Sequence, residues 1–321
     1  MSYAQYGTIQ ASDVNTLLTG YANGTLNTGT ASLNLVWSTG NQNKGYGQTA
    51  VPIVASGQVV VASTWVSMTS NTSNAALHQN SSISAVGGNV SAGSVITYLP
   101  NIATNLTTIY NNRLNAVSQS STTANTATTT GTWSDKATFT HTVTFSSGDA
   151  ARYFFNSGGQ LAITCSHPNG TGINLLLNNL ASNVGTVVLS SPTSGTATIA
   201  GTAYNGVTRV GGGGNAPTVA TNSGYYAWST ANANVYYQTA STGPSGYLST
   251  NINIFVKTNG TVGSNGDVGN VVTIYTVWDE IPNGLTVSSG SATTVTVRPP
   301  ETTYIANTWG AISITGTVSA A

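Results

Sequence analysis

Lys136-Ala-Thr-Phe-Thr-His-Thr-Val-Thr-Phe145 is the stretch that decides the fold class. Phe139, His141, Val143 and Phe145 fall on one side of a period of two, and Thr138, Thr140, Thr142 and Thr144 on the other. Successive side chains of a strand point to opposite faces, so this reads as a strand with one buried face and one threonine-covered face in water. Similar short apolar runs recur downstream at 160–165, 185–190, 196–200, 207–210, 225–230, 235–240, 251–257, 271–278, 293–298 and 311–318. Turns rich in Gly, Asn, Pro or Ser separate most of them. Short strands at this spacing predict a mainly β chain, with an antiparallel β-sandwich or jelly roll over residues 132–321. Ile173 to Leu180 stays open, because Leu175, Leu176 and Leu177 suit either a strand or one short helix.

Upstream, residues 118–131 are small, polar and without apolar anchors, which predicts a Ser/Thr-rich linker at 121–131. Residues 1–120 then form a separate, mixed α/β N-terminal module. Ser12-Asp13 opens a helix carrying Val14, Leu17, Leu18 and Tyr21. Gln58 to Trp65 alternates around Val59 and Val61 and reads as a strand. After Pro100, residues Ile102, Leu106, Ile109, Tyr110, Leu114 and Val117 make the clearest helical stripe, with Arg113 in its last turns where a cation suits the helix dipole. That helix packs either within its own module or against other copies of the chain.

Composition narrows the function. The chain has 321 residues, of which seven are Lys or Arg and seven Asp or Glu, so 4% are charged and the net charge is zero. An ordinary domain carries roughly 25%. Nucleic-acid binding through phosphate contacts is excluded, since each neutralised phosphate needs its own cation. A polybasic membrane surface is excluded on the same ground. No stretch reaches the roughly 20 apolar residues of a membrane helix, and the N-terminus lacks a basic and apolar signal pattern. Disorder does not fit 39% hydrophobic residues with 15 Tyr, 6 Trp and 5 Phe. Ser, Thr, Asn and Gly take the place of charge, as on extracellular, fibrous or particle surfaces.

Candidate chemistry is sparse, and no catalytic, cofactor or metal site is expected. Of the seven acids only Asp279 and Glu280 are neighbours, and on a strand neighbours point apart. A glycosidase needs two carboxylates held together. Cys165 and His167 stand in Thr-Cys-Ser-His-Pro without a second Cys or a nearby acid, which does not make a zinc or thiol site. His141 reads as a hydrogen-bonded structural histidine. His78 belongs to a loop or helix end, leaving open a metal shared by one His per chain on a threefold axis. Gly211-Gly-Gly-Gly-Asn215 lacks the Lys-Ser/Thr of a phosphate loop and reads as a flexible turn. Tyr225, Tyr226, Trp228, Tyr236 and Tyr237 cluster on two expected strands, either filling a core or interface or offering rings for sugar stacking.

The most informative segment is Asp149-Ala-Ala-Arg-Tyr-Phe-Phe-Asn-Ser-Gly-Gly-Gln-Leu161. Tyr153 to Phe155 reads as a short aromatic strand, Asn156 to Gly159 as a tight turn, and Arg152 with Asp149 as an internal ion pair. Its Arg152, Tyr153, Phe154, Phe155, Asn156, Gly158 and Gly159 resemble a signature of structural proteins of tailed bacteriophages, marine and cyanobacterial ones in particular. Residues Ala137 to Phe145, Gly7 to Asp13, Gly45-Tyr-Gly-Gln48, Pro299 to Tyr304 and Thr308-Trp-Gly310 look like the same family. The resemblance implies a virion component without fixing its place on the particle, and brings no catalytic residues; a tail-fibre, baseplate or neck position is the favoured reading. With so few carboxylates and no signal pattern, the expectation is a non-enzyme made in the host cytoplasm, whose partners are other virion proteins and copies of itself, a trimer being favoured because fibres and spikes commonly are trimers. A host receptor- or glycan-binding adhesin, a capsid decoration protein and a capsule depolymerase are the alternatives.

Overall fold

The computed structural model describes residues 11–19, 21–22, 25–26, 31–86 and 99–321. The fold is mainly β, with antiparallel sheets and a small helical N-terminal part. That part contains α1 (Ala11–Thr19), the two-residue strands β1 (Tyr21–Ala22) and β2 (Thr25–Leu26), α2 (Leu33–Trp37), α3 (Ala62–His78) and α4 (Leu99–Asn111).

Helix α3 begins inside the segment read as a strand. Its buried side chains Trp65, Met68, Thr72, Ala75 and Ala76 repeat at helical spacing. Thr69 and Thr72 donate their hydroxyls to the carbonyls of Trp65 (3.1 Å) and Met68 (2.8 Å), one turn back. Threonines that satisfy themselves in this way can stand on a buried face, which is why the alternating valines upstream misdirect the reading. In α4, Ile102, Leu106 and Ile109 are fully buried as expected. Arg113 lies past the helix end and donates Nη1 to the Tyr110 carbonyl at 2.7 Å, closing an orphan acceptor there.

The linker expectation fails. Within 121–131 lies β3 (Thr123–Thr128), which pairs over its whole length with a later strand. Thr126 and Thr294 share a hydroxyl–hydroxyl bond of 2.7 Å across that pair. Small polar residues here serve a half-exposed edge, and only Ala127 turns into the core.

After β3 come β4 (Lys136–Thr144), α5 (Gly148–Asn156), β5 (Gln160–Ser166), α6 (Ile173–Val184), β6 (Thr186–Leu189), β7 (Ala197–Ile199), β8 (Thr202–Tyr204), β9 (Val207–Val210) and β10 (Thr218–Val219). The chain ends with β11 (Ala233–Thr239), β12 (Asn251–Thr258), β13 (Val271–Asp279), β14 (Ala292–Arg298) and β15 (Ser313–Ala320). One sheet has the order β10-β11-β12-β13-β4-β15 and the other β3-β14-β5-β6-β9. Strand β4 alternates as read, with Ala137, Phe139, His141 and Val143 buried.

Both sheets and the N-terminal helices contribute to one continuous apolar core. Helix α6 touches β5 of one sheet and β11 and β12 of the other. Its Ile173, Leu176, Leu177, Leu180, Ala181 and Val184 form the buried stripe, and Leu175 faces water. This resolves the ambiguity at 173–180 in favour of a helix. The second sheet is covered on its other face too. Ala162 and Val188 pack there with Ala116, Ala197, Ile199 and Tyr204 in a smaller cluster.

Candidate functional site

The signature segment forms a helix rather than a strand. Ser147 caps α5, its hydroxyl accepting from the Ala150 amide at 3.0 Å, and Asp149 sits in the first turn, where an acid favours the dipole. At the other end Gly159 N donates to the Phe154 carbonyl (2.8 Å) and Gly158 N to that of Phe155 (3.3 Å). That is a Schellman cap, and Gly158 supplies its left-handed residue with φ +89°. The aromatic run Tyr153 to Phe155 concealed cap signals that were present on both sides.

Helix α5 ties the N-terminal part to the β body. Arg152 is fully buried and donates Nε and Nη2 to Asp149 Oδ1 at 3.2 and 3.0 Å, the ion pair expected from sequence. Its Nη1 reaches the Lys44 carbonyl at 3.0 Å. Asp149 also accepts from the Gly266 amide, 3.2 Å from each oxygen, so a third loop joins. Asn156 donates Nδ2 to the carbonyls of Gln42 (3.1 Å) and Gly45 (3.0 Å). The Tyr153 ring presses on Gly47, where any Cβ would come within 2.5 Å of it.

Several quoted segments converge here. Gln48 and Ala306 exchange two bonds of 2.9 and 3.0 Å, and Thr308 donates its hydroxyl to the Tyr46 carbonyl at 2.5 Å. Tyr46 in turn donates to the Arg113 carbonyl at 2.8 Å, and burial holds its phenol above the usual tyrosine range. Of Gly7 to Asp13, residues 7–10 lie outside the described residues.

The five clustered aromatics separate. Tyr225 and Trp228 do not lie on a strand; a 3-10 turn spans Tyr225–Ala227. Tyr225 stacks on Phe155 with ring centroids 4.4 Å apart, and Trp228 meets the same ring edge-on at 5.5 Å. Such pairs contribute about 0.5–1.5 kcal/mol each beyond burial. In β11 the register slips between Asn234 and Tyr236. This bulge turns both Val235 and Tyr236 inward and leaves Tyr237 outside. Tyr225, Trp228 and Tyr236 are therefore core, and no common ring of five stacking faces forms.

The histidines and the cysteine serve packing. His78 ends α3, buried, with Nε2 3.1 Å from the Ser157 carbonyl and its ring edge-on to Tyr46. Burial lowers its pKa to about 4, partly opposed by that bond. His167 lies between Ser291 Oγ (2.9 Å) and Asn174 Oδ1 (3.1 Å), whereas His141, buried on β4, has neither ring nitrogen hydrogen-bonded among the described residues, contrary to the expectation of a hydrogen-bonded histidine. Burial lowers both pKa values, and at His167 the contact with Asn174 acts against it. All three rings are enclosed, so none of them reaches a surface axis to share a metal. The Cys165 thiol is pushed up to about 12 by burial, away from nucleophilic use. Glu280 is buried and accepts from the amides of Gly284 (3.1 Å) and Leu285 (2.9 Å), holding its own loop. The glycine run at 211–214 is tied down, since Arg209 and Gln238 both donate to the Gly213 carbonyl, at 2.8 and 2.7 Å.

Beside the junction opens a cleft of about 240 Å3. Its walls come from Gln42 and Asn43, from the 191–194 loop after β6, from Tyr226 and from the 262–264 loop between β12 and β13. Tyr226 belongs to the aromatic cluster expected from sequence, whereas the loops that face it carry no periodicity or motif that marks them. Compared with protein families, curated proteins and solved structures, the chain matches none.

Proposed function

We propose that this chain is a structural component of a tailed-bacteriophage particle, of the tail fibre, baseplate or neck, and that it acts by assembly rather than catalysis. One observation carries the reading most of the way. The six-stranded sheet ends in β15, an eight-residue edge strand without charge, proline or bulge, in register with β4 throughout. Soluble proteins ordinarily guard such an edge with Lys, Pro, a bulge or a short strand. On its outward face Ser313, Thr315, Thr317 and Ser319 stand opposite Thr144, Thr142, Thr140 and Thr138. A hydroxyl-covered face beside an uncharged edge strand, which pairs with no further strand among the described residues, is suited to contact with neighbouring subunits. The resemblance of 149–161 adds the kind of particle.

In this reading the α5 junction welds the helical part to the β body, so that a force on one is carried by the other. The chain is made in the host cytoplasm and joins copies of itself, a trimer being favoured, and other virion proteins. Electron cryo-microscopy of intact particles tests this. Density fitting the two sheets should repeat at the tail or neck. Repeats on the capsid shell would favour a decoration protein, and particles without such density or the chain's peptides would refute the proposal.

A further inference from the structure

The cleft beside α5 has the chemistry of a sugar site, and we propose that it binds a neutral saccharide unit. Apart from the Tyr226 phenol, the described residues of its walls carry no ionisable side chain. A charged ligand would find no counter-charge there. What the walls offer are groups that both donate and accept: the amides of Gln42 and Asn43 and the hydroxyls of Thr193, Ser194 and Ser264. Sugar hydroxyls need such partners. Pro192, Val262 and Tyr226 add the apolar patch on which the C–H face of a ring can rest. Drug-sized sites have about 300–1,000 Å3. The volume of about 240 Å3 is smaller and suits one ring of a chain rather than an extended oligosaccharide.

The walls are held in place before any ligand arrives. The Tyr226 hydroxyl is fixed between the Gln42 carbonyl (2.9 Å) and Asn156 Oδ1, which orients the ring. Gly263 has φ +110°, and a Cβ there would come within 3.1 Å of that ring, so glycine keeps the space open. The Pro192 carbonyl would lie 2.0 Å from a Cβ on Gly224, which seats the 191–192 wall directly on backbone. Ser191, 1% exposed, lines the cleft, and its enclosed hydroxyl has no hydrogen-bond partner among the described residues. A buried polar group without a partner in a cleft wall calls for an explanation, and a shift of the wall on binding would bring a ligand hydroxyl to it. Preformed walls reduce the entropy lost on binding.

The inference goes beyond the assembly reading and fails separately from it, since a scaffold protein can lack a sugar site. The test is saturation-transfer NMR on the full chain with neutral hexoses, 6-deoxyhexoses, N-acetylhexosamines, acidic sugars and neutral polysaccharides. A neutral monosaccharide should give a signal, and acidic sugars should not. Thr193 and Ser194 are exposed, so Ser194→Trp should close the mouth without unfolding the chain. Asn43→Ala removes one amide and leaves the backbone carbonyl that holds Arg113. Each should weaken binding at least about tenfold, the scale of one or two lost hydrogen bonds. Free sugar and surface polysaccharide are separated by the two arms. Polysaccharide that binds Ser194→Trp as well as the unaltered chain, a preference for acidic sugars, or silence across the panel would each overturn the proposal.

Discussion

Acid should unfold this protein through its histidines, and His78 allows the size of the effect to be worked out. Its ring is 1% exposed, and burial depresses its pKa from 6.5 to about 4. The unfolded chain therefore binds a proton that the folded chain refuses. Stability is full above pH 6.5 and falls as pH drops through the window from 6.5 to 4. Each pH unit inside that window costs about 1.4 kcal/mol, giving a loss of about 2 kcal/mol at pH 5 and about 3 kcal/mol at pH 4 from this group alone. His141 and His167 shift in the same direction and add to it. Urea denaturation at pH 7, 6, 5 and 4 measures the loss, and His78→Gln separates the histidine from the carboxylates. The variant should show a shallower fall over that interval, whatever its stability at pH 7. An unaltered chain equally stable at pH 7 and pH 4, or a variant with the same slope, would refute the reasoning.

Two further substitutions probe the α5 junction. Arg152→Ala leaves Asp149 and the Lys44 carbonyl without their shared partner and should cost about 3–5 kcal/mol in urea unfolding, with Arg152→Lys recovering little because it lacks the fork. A loss below about 1 kcal/mol would contradict the buried-anchor role. Gly158→Ala puts a Cβ at φ +89°, 2.6 Å from that of Ala116, and should lower stability by about 1–3 kcal/mol; an unchanged midpoint would count against the Schellman cap.

The sheets were readable because their signal is local. In β4 and β13 each inward residue is apolar, or a histidine or threonine buried among apolar ones, and each outward one is partly exposed, so a period of two survives. The helices α3 and α5 were not readable, for different reasons. In α3 threonine and alanine occupy buried positions, which erases the apolar stripe. In α5 three aromatics in a row imitate a strand, although Ser147 and Gly158 marked both ends of the helix. Strand β3 escaped because an edge that covers β15 needs small residues more than apolar ones. Close approach is possible there because Gly316 has no side chain to meet Asn125. The Arg152–Asp149 pair could be read at i, i+3, but its contact with Lys44 joins residues 108 positions apart. No local pattern carries that, nor the meeting of residues 42, 192, 226 and 263 around one cleft.

The central claim is that uncharged surfaces bring copies of this chain together. Sedimentation velocity at micromolar concentration, in 0.05 M and 1 M sodium chloride, tests it most directly. Lys136–Asp279 and Arg152–Asp149 are ion pairs among the described residues, and the second is internal. Screening therefore has little to weaken. The prediction is a defined oligomer, with a trimer favoured, of the same size and affinity in both salts. A monomer at both concentrations, or an oligomer that dissolves as salt rises, would contradict it.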